Sequence, residues 1–101
     1  MKHTKKYLEE KFHFSAEHAE ILANYNSHEE AFSRVSWAIR KGCNKVYTYT
    51  NGGRRKPAEF IGDDINAMLQ MLGFSVVASG NDAPRGGKCG EYITFSEVKN
   101  A

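Results

Sequence analysis

The amino-acid sequence predicts a small α+β domain: three N-terminal helices, then strand, helix, strand and strand, with a small antiparallel or mixed sheet packed against the helices. Three observations predict it. Apolar residues recur at spacings of three and four through the N-terminal part, the run KVYTYT alternates, and two further β-rich runs, FSVVAS and EYITFS, follow an apolar helical stripe. At 101 residues the expectation is one domain over 1–101, with a real core but no room for a large enclosed cleft.

Tyr7, Leu8 and Phe12 predict a short first helix; Ala16, Ala19, Ile21, Leu22 and Tyr25 predict a second, with Ser15 placed to cap it. Ser27 followed by Glu30 has the capping-box form, in which each side chain satisfies an otherwise unpaired backbone N–H of the first turn. A third helix is therefore expected from His28 to Lys41, ended by Gly42 in the left-handed conformation. Lys45 to Thr50 is the clearest strand, rich in β-branched and aromatic residues, and Asn51-Gly52-Gly53 turns the chain.

Asn-Gly also signals a hairpin, which would return through GRRKPAEF. Pro57 argues against that return, because proline suits the first helical position, where its missing N–H would be unpaired anyway. Ile61, Ile65, Met68, Leu69 and Leu72 then form one apolar stripe, so a helix is expected over Pro57–Leu72, stopped by Gly73. FSVVAS and EYITFS are two closing strands joined by GNDAPRGGKCG. An alternative architecture is a distorted winged helix with that loop as a basic wing, which requires the helix over 57–72 to break in two at Gly62.

The charge is one-sided. From Ala31 through Ala58 there is no acid, and Arg34, Arg40, Lys41, Lys45, Arg54, Arg55 and Lys56 give the window +7. Since the whole chain carries +2, the other 73 residues carry −5. These positives come from a helix, a strand start and a loop, which suits an anion-binding surface better than one solvated face. On the third helix, Phe32, Val35 and Ile39 make the core stripe. Trp37 falls about 140° from Phe32 at 100° per residue, among Arg34, Arg40 and Lys41. An exposed tryptophan ringed by cations is suited to stacking on bases or anchoring a protein interface; the competing reading packs Trp37 as core under the first two helices.

Thr50 to Phe60 combines Gly52 and Gly53 with Arg54, Arg55 and Lys56 ahead of the expected helix start. Free backbone N–H groups, guanidinium forks and a helix N-terminus each attract phosphate. Neither GxxxxGK[ST] nor GxGxxG is present. The second loop repeats the recipe with Arg85, Gly86, Gly87 and Lys88, and a strand-helix-strand-strand order allows the two loops to lie together.

Catalytic, metal and cofactor chemistry finds little purchase. His13 and His18 lack ligand spacing, Asp63 and Asp64 are dipole-compensating residues of the first two turns of the expected helix, and Cys89 has no histidine placed beside it by sequence. Cys43 and Cys89 read as free thiols, with proximity in space one expectation. A polar N-terminus and the lack of any apolar run near 20 residues point to a cytoplasmic protein that does not enter a membrane.

The expected function is thus a non-catalytic binding module, without cofactor, for nucleic acid or a phosphorylated nucleotide, the latter in a shared site if the chain forms a homo-oligomer. The alternative is an inhibitor or adaptor that docks on a nucleic-acid-processing protein partner through the same cationic, Trp37-bearing surface.

Overall fold

A computed structural model describes residues 3–97. Its order is α1 (Lys5–Phe12), α2 (Ala16–Leu22), α3 (Glu29–Lys41), β1 (Lys45–Tyr47), α4 (Gly62–Met71), β2 (Phe74–Asn81) and β3 (Glu91–Glu97), with a 3₁₀ turn at Lys88–Gly90. This is the expected α+β arrangement, and the sheet is wholly antiparallel in the order β1-β3-β2. β3 lies at its centre, pairing Val46 with Ile93 on one side and Val76 with Phe95 on the other.

Local chemistry sets the helix ends. Thr4 and Ser15 accept hydrogen bonds from the backbone N–H groups of Tyr7 and His18, capping α1 and α2. Gly42 ends α3 with φ +69°, a conformation in which a Cβ is costly. The start of α3 departs from the capping-box expectation. His28 is the cap, its Nδ1 accepting from the Glu30 N–H at 3.1 Å, while the buried Ser27 hydroxyl donates to Asp64 on α4 at 2.7 Å. A partner 37 residues away outcompetes the local one, since a hydrogen bond to a carboxylate is stronger than one to a neutral amide.

The core joins the helices to one face of the sheet. Leu8, Phe12, Phe32, Val35, Ile65 and Met68 are at its centre, with the Phe12 and Phe32 rings stacked 5.7 Å apart, and Val46 and Phe95 close it from the sheet. Ser36, inside α3, donates to the Phe12 carbonyl and so ties α3 to the end of α1.

The segment between β1 and α4 corrects two expectations. The helix starts at Gly62 and not at Pro57, and the chain does return from the glycine turn as an irregular hairpin arm. The Thr50 N–H donates to the Glu59 carbonyl, the Ile61 N–H donates to the Thr48 carbonyl, and the Thr50 hydroxyl accepts from the Glu59 N–H, each at 2.8 Å. Three bonds hold residues 59–61 against Thr48 and Thr50, and Pro57 lies on this arm, where a missing donor costs nothing. The apolar stripe itself holds, with Ile61, Ile65, Met68 and Leu69 buried. Because residues 57–61 are not helical, a single helix lies between β1 and β2 among the described residues, and the helix pair of a winged helix is not formed.

β1 is likewise shorter than the alternating run that predicts it. Its ladder to β3 ends at Tyr47, after which the arm at 59–61 takes over, with a bridge between Tyr49 and Phe60. The alternation survives the change of partner: Val46, Thr48 and Thr50 are buried, whereas Tyr47 is exposed and Lys45 and Tyr49 are partly so.

Candidate functional site

β1 is an edge strand, and the alternation just described turns Lys45, Tyr47 and Tyr49 away from the core. With α3 beside this edge, a groove of about 490 Å³ opens between them, lined by Ser33, Arg34 and Trp37 from α3, by Lys45, Val46, Tyr47, Tyr49 and Asn51, and by Cys89 from the β2–β3 loop. Trp37 is 51% exposed, so it is not covered by α1 and α2. Tyr47 is 38% exposed on the opposite wall.

The aromatic surface continues past the groove. The Tyr47 ring meets Tyr92 edge-on at 6.1 Å, and the Tyr49 ring lies 5.2 Å from the exposed Phe60. Cations sit over these rings, Lys45 Nζ at 4.5 Å from the Tyr92 centroid and Lys88 Nζ at 5.9 Å from that of Tyr49.

Two of the groove's cations are already committed. The Arg34 guanidinium donates to the main-chain carbonyls of Tyr47 and Tyr49 and to Glu30 Oε2 at 2.9 Å, closing the open edge of β1. Lys45 donates to Asp82 Oδ2 at 3.2 Å, and the same oxygen accepts from the Tyr47 hydroxyl at 2.6 Å. That hydroxyl first, and the ammonium second, hold the Asp82 carboxyl below its usual range; in return the hydrogen bond to Asp82 raises the pKa of both Tyr47 and Lys45. Arg34 and Lys45 are therefore locally neutralised by Glu30 and Asp82.

The loop cations differ. Arg54, Arg55, Lys56, Arg85 and Lys88 are exposed and make no ion pair among the described residues. The turn that carries Arg54 and Arg55 is closed by the Gly53 N–H donating to the Lys56 carbonyl at 2.7 Å, so the Gly53 amide is occupied. Its positive charge also stands apart from a helix start, since α4 begins at Gly62. The second loop is folded on itself: Asn81 accepts from the Ala83 N–H and donates to the Gly87 carbonyl, and the 3₁₀ turn directs Lys88 toward Tyr49. Lys88 and Cys89 thus reach the groove at the end where Asn51 leads into the Gly52–Lys56 turn.

Of the residues singled out by sequence, the structure brings Trp37 and Arg34 to one groove, with Lys88 over the ring of its lining residue Tyr49 and Gly52 to Lys56 following in the chain on its lining residue Asn51. Arg40 is elsewhere: it donates to Ser36 Oγ and lines a separate cleft with His13 and His18 beside α1 and α2. Lys41 is exposed at the last residue of α3. Cys43 and Cys89 lie at opposite ends of the β1–β3 pair, since Asn44 bonds to Phe95 and Thr48 to Glu91. Asp63 and Asp64 occupy the first turn of α4. Among the described residues no group of three or more His, Cys, Asp or Glu side chains could hold a metal ion, and no helix is long and apolar enough to cross a membrane.

Sequence reasoning passed over Tyr47, Tyr49, Tyr92 and Asp82. For the first two the signal is the alternation of KVYTYT, which puts Lys45, Tyr47 and Tyr49 on one side. Comparison of the chain with known protein families, with curated proteins and with solved structures finds no match.

Proposed function

We propose that the protein is a small non-catalytic binding module for a phosphate-bearing ligand, nucleic acid or nucleotide, held by the groove between α3 and β1. The observation that carries this reading is the division of labour in and around the groove. Trp37, Tyr47 and Tyr49 line a space whose own cations are paired with acids, whereas Lys88, without an ion pair, lies over the Tyr49 ring, and Arg54, Arg55 and Lys56, also without one, follow in the chain on the lining residue Asn51. Rings suit bases and free cations suit phosphates. The groove volume, about 490 Å³, is within the roughly 300–1,000 Å³ of small-ligand sites.

The test is the salt dependence of binding to a fluorescein-labelled oligothymidylate. Affinity should fall linearly on a log–log plot between about 50 and 200 mM salt, and Arg54→Ala/Arg55→Ala should flatten the slope by about 1.4, roughly 0.7 for each phosphate that is no longer neutralised. A folded protein that binds no oligonucleotide at low salt contradicts the reading.

A second reading is favoured by Phe60, 53% exposed next to Tyr49. Adjacent exposed aromatics are the usual anchors of protein interfaces, and an inhibitor or adaptor role would use them. That interaction would depend on Trp37 and Phe60 while tolerating moderate salt.

A further inference from the structure

We infer that the ligand of the groove is single-stranded nucleic acid whose neighbouring bases are unstacked, rather than a duplex or an isolated mononucleotide. The inference rests on the phosphate-binding reading above and narrows its ligand class.

The spacing of the ring platforms supports it. Tyr47 and Tyr49 are two residues apart on one extended segment, both line the groove, and Val46 and Thr48 between and beside them are buried, so the two rings belong to the same side of the chain. Two residues of extended backbone advance about 6.8 Å. Successive bases of a duplex strand advance only about 3.4 Å. Tyr47 and Tyr49 are thus anchored at positions about twice the duplex rise apart, and neighbouring bases received one on each ring must separate, which a single strand allows and a base-paired helix does not.

Two platforms also favour an oligomer over a single nucleotide, because a mononucleotide occupies one ring and leaves the other in water. Trp37 on the facing wall offers a further ring face, so a base lying on Tyr47 or Tyr49 is approached from α3 as well. The charge has a matching direction. Lys88 lies over the Tyr49 ring, and the chain passes from Tyr49 through Asn51 into Arg54, Arg55 and Lys56, so phosphates that flank a base on Tyr49 meet uncompensated cations. Near Tyr47 the cation is already held by Asp82, which leaves that end for a base rather than a phosphate.

Competition against a labelled oligothymidylate of about ten nucleotides, within the site sizes of single-strand binders, tests the inference at low salt. The competitors are unlabelled oligothymidylate, oligouridylate of the same length, thymidine monophosphate and a duplex of the same length. The expected result is that one or both single strands compete at least about tenfold better than the duplex, and better than the mononucleotide at equal nucleotide concentration. Trp37→Ala should weaken the single strand by about tenfold and Trp37→Phe should restore most of it, a drop and rescue in the range of one stacked base. A duplex that competes equally with the single strand, or a mononucleotide as effective per nucleotide, overturns the single-strand inference and leaves phosphate binding intact. No binding of any probe by folded protein overturns both.

Discussion

Arg34 on α3 is joined to Tyr49 on the far side of the groove, its guanidinium donating to the Tyr49 main-chain carbonyl as well as to that of Tyr47. The same side chain pairs with Glu30 one helical turn away. The first arginine of the basic segment thus serves as a brace between α3 and the β1 edge. Arg34→Ala should destabilise the fold by about 1–3 kcal/mol, because two carbonyls and a carboxylate are deprived of a charged donor. Arg34→Lys should recover little of this, since one ammonium lacks the planar fork that reaches all three acceptors. Urea denaturation of both variants checks it; a wild-type midpoint for Arg34→Ala would mean that the brace contributes nothing.

Trp37 should behave in the opposite way. With half of its surface exposed, Trp37→Ala should change stability by no more than about 1 kcal/mol. Circular dichroism and urea melts of this variant separate a role in the site from a role in the core: a chain that fails to fold would return Trp37 to the core.

How the helices begin shows what the sequence makes legible. Caps that depend on neighbours, Ser15 at α2 and Gly42 at the end of α3, can be read directly, as can the apolar stripe of α4. Ser27 could not be placed, because its choice between the local cap and Asp64 is made by the packing of α3 on α4. Pro57 could not either: the same fixed φ serves a first helical turn and an extended arm, and only the bonds to Thr48 and Thr50 decide between them. In the groove, Trp37 was visible from its angle to Phe32. The pairing of Lys45 with Asp82 joins residues 37 apart across the sheet and leaves no local mark.

That hydrogen-bonding difference at α3 gives a second stability prediction. His28→Ala removes the cap and should cost about 1 kcal/mol, whereas Ser27→Ala removes a buried donor to a carboxylate and should cost about 1.5–3 kcal/mol. Thermal melts of the two variants, side by side, test the order; a Ser27→Ala chain that loses less than His28→Ala would mean that the bond to Asp64 contributes less than the cap.

Two glycines beside the site should respond differently to alanine. At Gly90 a Cβ would stand 2.5 Å from the Ala83 backbone nitrogen, so Gly90→Ala must move the β2–β3 loop and should cost about 1–3 kcal/mol. At Gly53 nothing lies within 4 Å of the added atom, and Gly53→Ala should stay within about 0.5 kcal/mol of wild type. Denaturation midpoints report both; a neutral Gly90→Ala would show that the loop is not held against Ala83.

The Asp82 carboxyl supplies a pH prediction. The Tyr47 hydroxyl and the Lys45 ammonium hold its pKa below the unfolded value, about 3.9. A depressed pKa contributes stability above the unfolded value and loses it as pH falls through the folded one. The stability difference between wild type and Asp82→Asn should therefore be constant from neutrality to about pH 5 and shrink below about pH 4. A difference that stays constant to about pH 2 would show that Asp82 is not preferentially ionised in the fold.

The most direct measurement uses Trp37 itself, since the chain has a single tryptophan and its emission reports one wall of the groove. Oligothymidylate titrated at low salt should change that emission saturably, and Arg54→Ala/Arg55→Ala should weaken the same transition while leaving the unliganded spectrum unaltered. Emission that stays unchanged in folded protein across the full titration would contradict a shared site formed by the Trp37 groove and the basic turn.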